Sequence, residues 1–171
     1  FMQLCNVFGI PIVSLCDTPG IMVGPEAEVS GTVRHASRLF IIGAKLRVPV
    51  FMIVLRRAYG LGCMAMGGGS LHIPFFTISW PTGEFGGMGL EGAVRLGYRK
   101  ELESVKDPVN REELFEKLVA KSYTRGKALS TATYLEIDEV IDPMESRRWI
   151  AHGMVSNPPE RYTCLLYTSP S

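Results

Sequence analysis

Side chains able to act as acid, base or nucleophile are scattered along this chain, so the first candidates for chemistry are glycines. Arg57-Ala58-Tyr59-Gly60-Leu61-Gly62 follows an apolar run at residues 50–55 and opens a second apolar stretch. A strand feeding a helix through such a turn leaves the first backbone N–H groups of the helix without intrahelical partners, where negative charge is favoured. Two adjacent amides of this kind make an oxyanion hole, worth about 3 kcal/mol per donor to a developing anion. Gly60 and Gly62 keep side chains out of the way. The same glycines also fit a tight turn that only permits close packing, and local sequence alone favours that simpler reading.

Other patterns lead less far. Asp17-Thr18-Pro19-Gly20 fits the DxxG loop of a GTPase, but the GxxxxGK[ST] phosphate loop and a guanine-reading Asn-Lys-x-Asp are both missing. Ser70 and His72 follow three glycines without a GxSxG elbow or an evident orienting acid. His35 falls mid-helix beside Arg34, and His152 lies near the end of the last helix; surface or packing roles suit both. Without HExxH or an Asp/His cluster, no metal is expected. The lack of a side-chain acid–base constellation is itself informative.

The elements that would position the glycine turn alternate strand and helix, which gives an α/β fold. Residues 1–8 read as the last turns of a helix closed by Gly9. Residues 10–16 read as a buried strand ending at Asp17-Thr18-Pro19-Gly20. An amphipathic helix is expected next, with Val29, Val33, Ala36, Phe40, Gly43 and Arg47 on one face and Pro49 at its end. A buried strand at 50–55, a turn at 56–60 and a buried helix at 61–66 follow. A third strand spans 75–80, and a Gly-rich turn at 83–89 leads to a helix at 91–98. Residues 101–125 read as a solvated helix, possessing Asp107 as N-cap and Pro108 at N1, with room for a partner subunit. A short strand at 137–141 precedes a last helix capped by Asp142-Pro143.

Of 171 residues, 46% are hydrophobic and the formal net charge is +1. One globular domain, or a large part of one, is expected, with no strong field for nucleic acid or an acidic membrane. No apolar run approaches the ~18 residues of a membrane span. Four cysteines without metal-ligand spacing suit reduced thiols and a cytoplasmic setting. Both ends read as cut. Residues 164–171, beginning at Cys164, resemble the translation of a transposase adapter from a sequencing library and are set aside; residues 155–163 read as a linker or frayed end.

Taken in order, Asp17-Thr-Pro-Gly20, Arg34-His35, Arg56-Arg-Ala-Tyr-Gly60, Trp80-Pro-Thr-Gly-Glu84, Met88-Gly-Leu-Glu-Gly-Ala93 and Ile137-Asp-Glu-Val-Ile-Asp-Pro143 with Arg147-Arg148 carry more than any one alone. Together they resemble the C-terminal domain of the biotin-dependent acyl-CoA carboxylase carboxyltransferase (β) subunit, the propionyl-CoA carboxylase β family, over residues 1–154. The resemblance implies a crotonase-like (ClpP/crotonase) fold of stacked ββα units in a hexameric homo-oligomer. It implies carboxyl transfer from carboxybiotin, brought by a biotin carboxyl carrier protein and loaded by biotin carboxylase, to the α-carbon of an acyl-CoA. The biotin ureido oxygen would be held by the backbone amides of Leu61 and Gly62. Tyr59, Gly60, Met64, Asp17, Pro19 and Gly20 would border the biotin and substrate pocket. The freed biotin can take the α-proton, which accounts for the missing base. The thioester enolate needs a second hole from an N-terminal domain, so the chain alone is expected to be inactive.

Two departures from the family pattern stand out. Gly60-Leu61-Gly62 replaces Gly-Gly-Ala, so the Leu61 side chain must point away from biotin. The family's acyl-selecting position falls at Met64, an apolar and adaptable residue that suits longer or branched acyl groups. Gly83 and residues 85–87 also differ from the more usual Ala-Glu-Ile-Ala-Val. Two alternatives stay open: a crotonase-type hydratase or isomerase, for which Glu84 is the acid at hand, and a scaffold subunit whose hole Leu61 blocks.

Overall fold

The computed structural model describes residues 1–157. Helix α1 (Met2–Phe8) closes on Gly9, whose left-handed backbone lets the Ile10 amide donate to the Cys5 carbonyl at 2.8 Å. Strand β1 (Ile12–Thr18), helices α2 (Pro25–Val29) and α3 (Thr32–Gly43), strand β2 (Val50–Tyr59) and helix α4 (Gly60–Met66) follow. Next come β3 (Phe76–Ser79), β4 (Glu84–Gly86), α5 (Leu90–Gly97), α6 (Arg99–Ser104), α7 (Pro108–Gly126) and α8 (Ala128–Thr133). Strand β5 (Glu139–Val140), a 3-10 turn (Pro143–Glu145) and α9 (Ser146–Ser156) complete the described chain.

The strands form one sheet in the order β1-β2-β3-β5, with β4 paired to the far end of β2, and all these pairings are parallel. Parallel strands need crossovers, and each is covered by a helix. The first half of β2 is buried on both faces. Met52 and Val54 meet Cys16, Cys63, Phe85, Ala128 and Ile137 on one side. Phe51 and Ile53 meet Phe76, Ile78 and Ile141 on the other, beneath Trp149 and Ile150 of α9. Burying each such side chain stabilises the fold by about 1.5–3 kcal/mol.

Several elements differ from expectation; the Gly-rich turn expected at 83–89, for one, holds strand β4, paired with β2. The amphipathic helix is broken, because Gly31 adopts φ 67 between α2 and α3. Its expected inner face is inward only in the middle, where Gly43 is buried and Ala36 and Phe40 half-buried, while Val29 is 92% and Val33 62% exposed. It stops at Gly43, and the chain beyond turns under α1, where Val48 packs with Cys5, Ile12 and Val50. The Arg47 amide there donates to Asn6 Oδ1 at 2.7 Å. Residues 56–60 are not a turn, since β2 runs on to Tyr59 and only Gly60 turns. Strand β1 is half exposed, not buried, with Val13 and Leu15 on an open face. By contrast, Asp107 caps α7, accepting from the Asn110 amide at 3.1 Å, and Asp142 accepts from the Met144 amide at 2.8 Å.

The boundary expected at residue 154 falls inside α9, which runs on through Val155 and Ser156. Residues 164–171, and most of 155–163, lie outside the described residues. Among the described residues no helix is long and apolar enough to cross a membrane. None of their His, Cys, Asp and Glu side chains gather into a group able to hold a metal ion.

Candidate active site

Two adjacent parallel strands, β1 and β2, end side by side, and their C-terminal ends are where loops of an α/β sheet converge on ligands. The register between them breaks there. Cys16 pairs with Val54 but Thr18 pairs with Ala58, so β2 carries the extra length as a bulge at Arg56 and Arg57. Asp17 fills the bulge. Its carboxylate accepts from the Arg57 amide at 3.2 Å and from Arg56 Nη2 at 2.9 Å, with Arg57 Nε at 3.4 Å. The Arg56 hydrogen bond holds the Asp17 carboxyl below the usual carboxylate range. Asp17 thus bridges the bulge, where it positions the strand end.

Beyond the bulge, Ala58 and Tyr59 return to the sheet beside Phe85 and Gly86. Gly60 then turns with φ +57, and a Cβ there would lie 2.7 Å from the Gly87 carbonyl oxygen. Both the backbone conformation and the space demand glycine. Helix α4 starts at once, and Tyr59 at its N-cap makes no side-chain capping bond. The opening amides, those of Leu61 and Gly62 among them, therefore have neither an intrahelical acceptor nor a side-chain cap. Leu61 is 58% exposed, so its side chain stands clear of the packed face of α4. Gly62 faces inward: a Cβ would sit 2.9 Å from the Gly20 backbone and 3.1 Å from Thr18 Oγ1. This close approach brings the Asp17–Gly20 loop against the helix start. The loop is kept in shape by Thr18 Oγ1, which accepts from the Gly20 amide at 3.2 Å. Pro19 is exposed at its tip.

Tyr59 is buried, and its hydroxyl donates to Glu84 Oε2 at 3.0 Å. Burial first, then Glu84, push the phenol far above its ordinary value, so it stays a neutral donor. Cys63, one residue past the amides, shares the core with Cys16. The neighbouring Cys16 and its own burial push the Cys63 thiol up and keep it protonated. Met64 is 42% exposed and walls an apolar pocket of about 280 Å³ beside Gly60. A larger cavity, about 460 Å³ between Phe75, Trp149 and His152, lies by the opposite end of β3 and touches none of these residues.

The sequence-derived residues Asp17, Pro19, Gly20, Tyr59, Gly60, Leu61, Gly62 and Met64 thus gather at one end of the sheet. Sequence reasoning missed Thr18, the Gly87 carbonyl and the Arg57 amide. A threonine before Pro-Gly signals a side-chain-closed turn, whereas nothing local announces the other two.

A helix start emptied of side chains, and pressed by glycine against a second loop, suits an anion held by backbone. Residues 1–157 match the carboxyl transferase domain family. The chain belongs to that family. Over 164 residues it is 34% identical to the methylmalonyl-CoA carboxyltransferase 12S subunit of Propionibacterium freudenreichii subsp. shermanii, covering 95% of this chain and 30% of that protein. It is 35% identical over 151 residues to a Haloferax mediterranei propionyl-CoA carboxylase carboxyltransferase subunit, covering 86% of this chain and 28% of that protein. The chain therefore spans about a third of the length of these carboxyl transferase relatives. Among solved structures, a single-chain, multi-domain long-chain acyl-CoA carboxylase is 57% identical with a TM-score of 0.77, covering 88% of this chain and 14% of that one. The transcarboxylase 12S hexamer, solved with methylmalonyl-CoA, is 27% identical with a TM-score of 0.81, covering 99% of this chain and 32% of that one. The expected crotonase-like α/β fold of the family is the fold found.

Proposed function

We propose that this chain is the biotin-side C-terminal domain, over residues 1–154, of an acyl-CoA carboxyltransferase working in a cytoplasmic hexamer. A biotin carboxyl carrier protein, charged by biotin carboxylase, would bring carboxybiotin to the turn at Gly60. Carboxybiotin supplies an activated carboxyl group: its N–CO2 bond breaks, a C–C bond forms at the acyl-CoA α-carbon, and the ureido nitrogen takes the α-proton. The chain's own contribution is to hold the negative charge that grows on the ureido oxygen. The amides of Leu61 and Gly62 do so without acquiring or losing a proton. Gly60 and Gly62 admit the ring, and Gly20 and Thr18 back the helix start. Met64, beside the hole, selects for acyl groups larger than short ones.

The observation that carries this reading is the uncapped start of α4 at a strand end, walled by glycine. A hydratase reading would need Glu84 as its acid, but that carboxylate already accepts from Tyr59. The experiment uses the full-length protein with a biotinylated carrier, labelled bicarbonate and a panel of acyl-CoAs. Label should move to an acyl-CoA, and no label on any of them while the carrier is demonstrably carboxylated sinks the proposal. A scaffold subunit would in addition bind no biotin.

A further inference from the structure

Tyr59 stands at the start of α4 without forming part of its surface. It is buried and is not among the residues that wall the pocket beside Gly60. Carboxyl transfer as described above gives it no task, yet contacts converge on it from several sides. Its carbonyl oxygen lies 3.4 Å from where a Cβ of Gly20 would be. Its backbone pairs with Gly86 of β4, and its ring edge lies 3.5 Å from where a Cβ of Gly86 would be. Its hydroxyl donates to Glu84 Oε2 at 3.0 Å. Backbone grips Tyr59 at one end, and a single carboxylate holds it at the other.

The acceptor is itself anchored. Glu84 opens β4, pairs with Arg57 of β2 and bridges Lys127 as well. Just before it, the Gly83 carbonyl accepts from the Ala128 amide at 2.9 Å, and Thr82 Oγ1 donates to the Leu55 carbonyl at 2.5 Å. The end of α7 presses on the same strand, since a Cβ on Gly126 would lie 2.6 Å from the Phe85 carbonyl oxygen. The Tyr59 hydroxyl is therefore tied to a point that neighbouring elements fix.

The helix start needs such a tie. Helix α4 has seven residues, too few to be stable alone. It begins at a glycine, the most permissive residue for backbone rotation, and no side chain caps it. Donors aimed at a growing charge act only when held to about 0.5 Å of their working positions. We infer that Tyr59, held by Glu84, is a positioning residue for carboxyl transfer, and that their hydrogen bond sets the direction in which the Leu61 and Gly62 amides point. This role rests on the carboxyltransferase reading given above. Tyr59, expected to border the biotin and substrate pocket, instead acts from beneath the turn, through the backbone, and touches neither ligand.

The test follows label from carboxylated carrier to acyl-CoA in the full-length protein, with kcat and the KM for carrier and for acyl-CoA measured separately. Tyr59→Phe should lower kcat roughly tenfold, the loss a sub-ångström displacement gives, while each KM changes less than about twofold. Glu84→Gln keeps an acceptor for the phenol and should stay within about threefold of wild type, whereas Glu84→Leu should lose as much as Tyr59→Phe. The double variant Tyr59→Phe with Glu84→Leu should be no slower than either alone, because the pair acts as a unit. Tyr123→Phe cuts a neighbouring phenol–carboxylate bond, to Glu91, and should leave kcat unchanged; general loosening of the fold would slow it too. Wild-type kcat in Tyr59→Phe overturns the inference, as does additive loss in the double variant. A raised KM for the carrier at unchanged kcat overturns it by placing Tyr59 against biotin, and a loss shared by Tyr123→Phe overturns it in favour of folding. Should Tyr59→Phe fail to fold, the two Glu84 variants decide, and equal rates from them overturn the inference. In all these outcomes a wild type that labels an acyl-CoA leaves the carboxyltransferase reading standing, whereas a wild type that labels none removes both.

Discussion

The two halves of β2 are built on opposite principles. From Val50 to Val54 every residue is buried, the register to β1 and β3 is regular, and side chains supply the stability. From Arg56 to Tyr59 the register has slipped, the neighbour is β4, and positions are set by backbone contacts: the Arg57 amide on Asp17, Gly60 against Gly87, Gly62 against Gly20. One strand thus joins a core that tolerates no gap to a turn that tolerates no side chain. The first half resists by packing and the second by exclusion, so they should fail in different ways.

Phe51→Ala strikes the first half hardest. Phe51 is fully buried against Phe76, with ring centroids 5.1 Å apart, and its loss should cost about 3–5 kcal/mol. The thermal unfolding temperature of the full-length protein should fall, while the protein that remains folded keeps its acyl-CoA preference. Leu61→Pro should do the reverse. It removes one amide from the first helical turn, where proline is tolerated, and should lower transfer by about a hundredfold to a thousandfold with little change in unfolding or in acyl-CoA binding. Gly62→Pro is the less clean form of this experiment, because its ring would also press on Gly20. Retained transfer in Leu61→Pro would remove that amide from the mechanism.

Much of this division was legible in the sequence, and the missed parts share a cause. The apolar runs gave the strands, Asp107-Pro108 gave the start of α7, and the glycines at 60 and 62 marked the turn. The second half of β2 was hidden because Arg56-Arg57 breaks the apolar run and reads as a turn. What keeps it in the sheet is Asp17, 40 residues earlier than Arg57, and no local pattern reports such a bond. The break between α2 and α3 was hidden for a simpler reason. Glycine inside a helical period costs only about 1 kcal/mol relative to alanine, so periodicity alone does not show that Gly31 leaves the helix. Exposure of Val29 and Val33 depends on what else packs nearby, which spacing does not state.

Smaller changes sharpen the contrast. Asp17→Asn should destabilise the strand end by about 1 kcal/mol and reduce transfer by loosening the loop behind Gly62. The pH dependence has a definite sign. The folded Asp17 carboxyl titrates below its unfolded value of about 3.9, so its contribution is full above that value and disappears as pH falls through the depressed one. Wild-type and Asp17→Asn unfolding curves should differ near neutrality and converge in acid; a gap that persists in acid would point to packing instead of charge. The smallest effect belongs to Tyr123, which ties α7 to α5 by donating to Glu91 at 2.6 Å, with its own pKa pushed up to about 12. Tyr123→Phe lies outside both halves of β2 and should leave transfer unchanged while costing at most about 1 kcal/mol in unfolding.

The uncapped start of α4 has a consequence for heredity. An amide donor is written in no codon. At Leu61 any replacement but proline leaves it in place, so mutation reaches the donor only through the residues that shape the turn. Selection on this chemistry would then be recorded at Gly60, Gly62 and Gly20, residues with no side chain to exchange a proton, while Leu61 itself is free to vary as the substrate does.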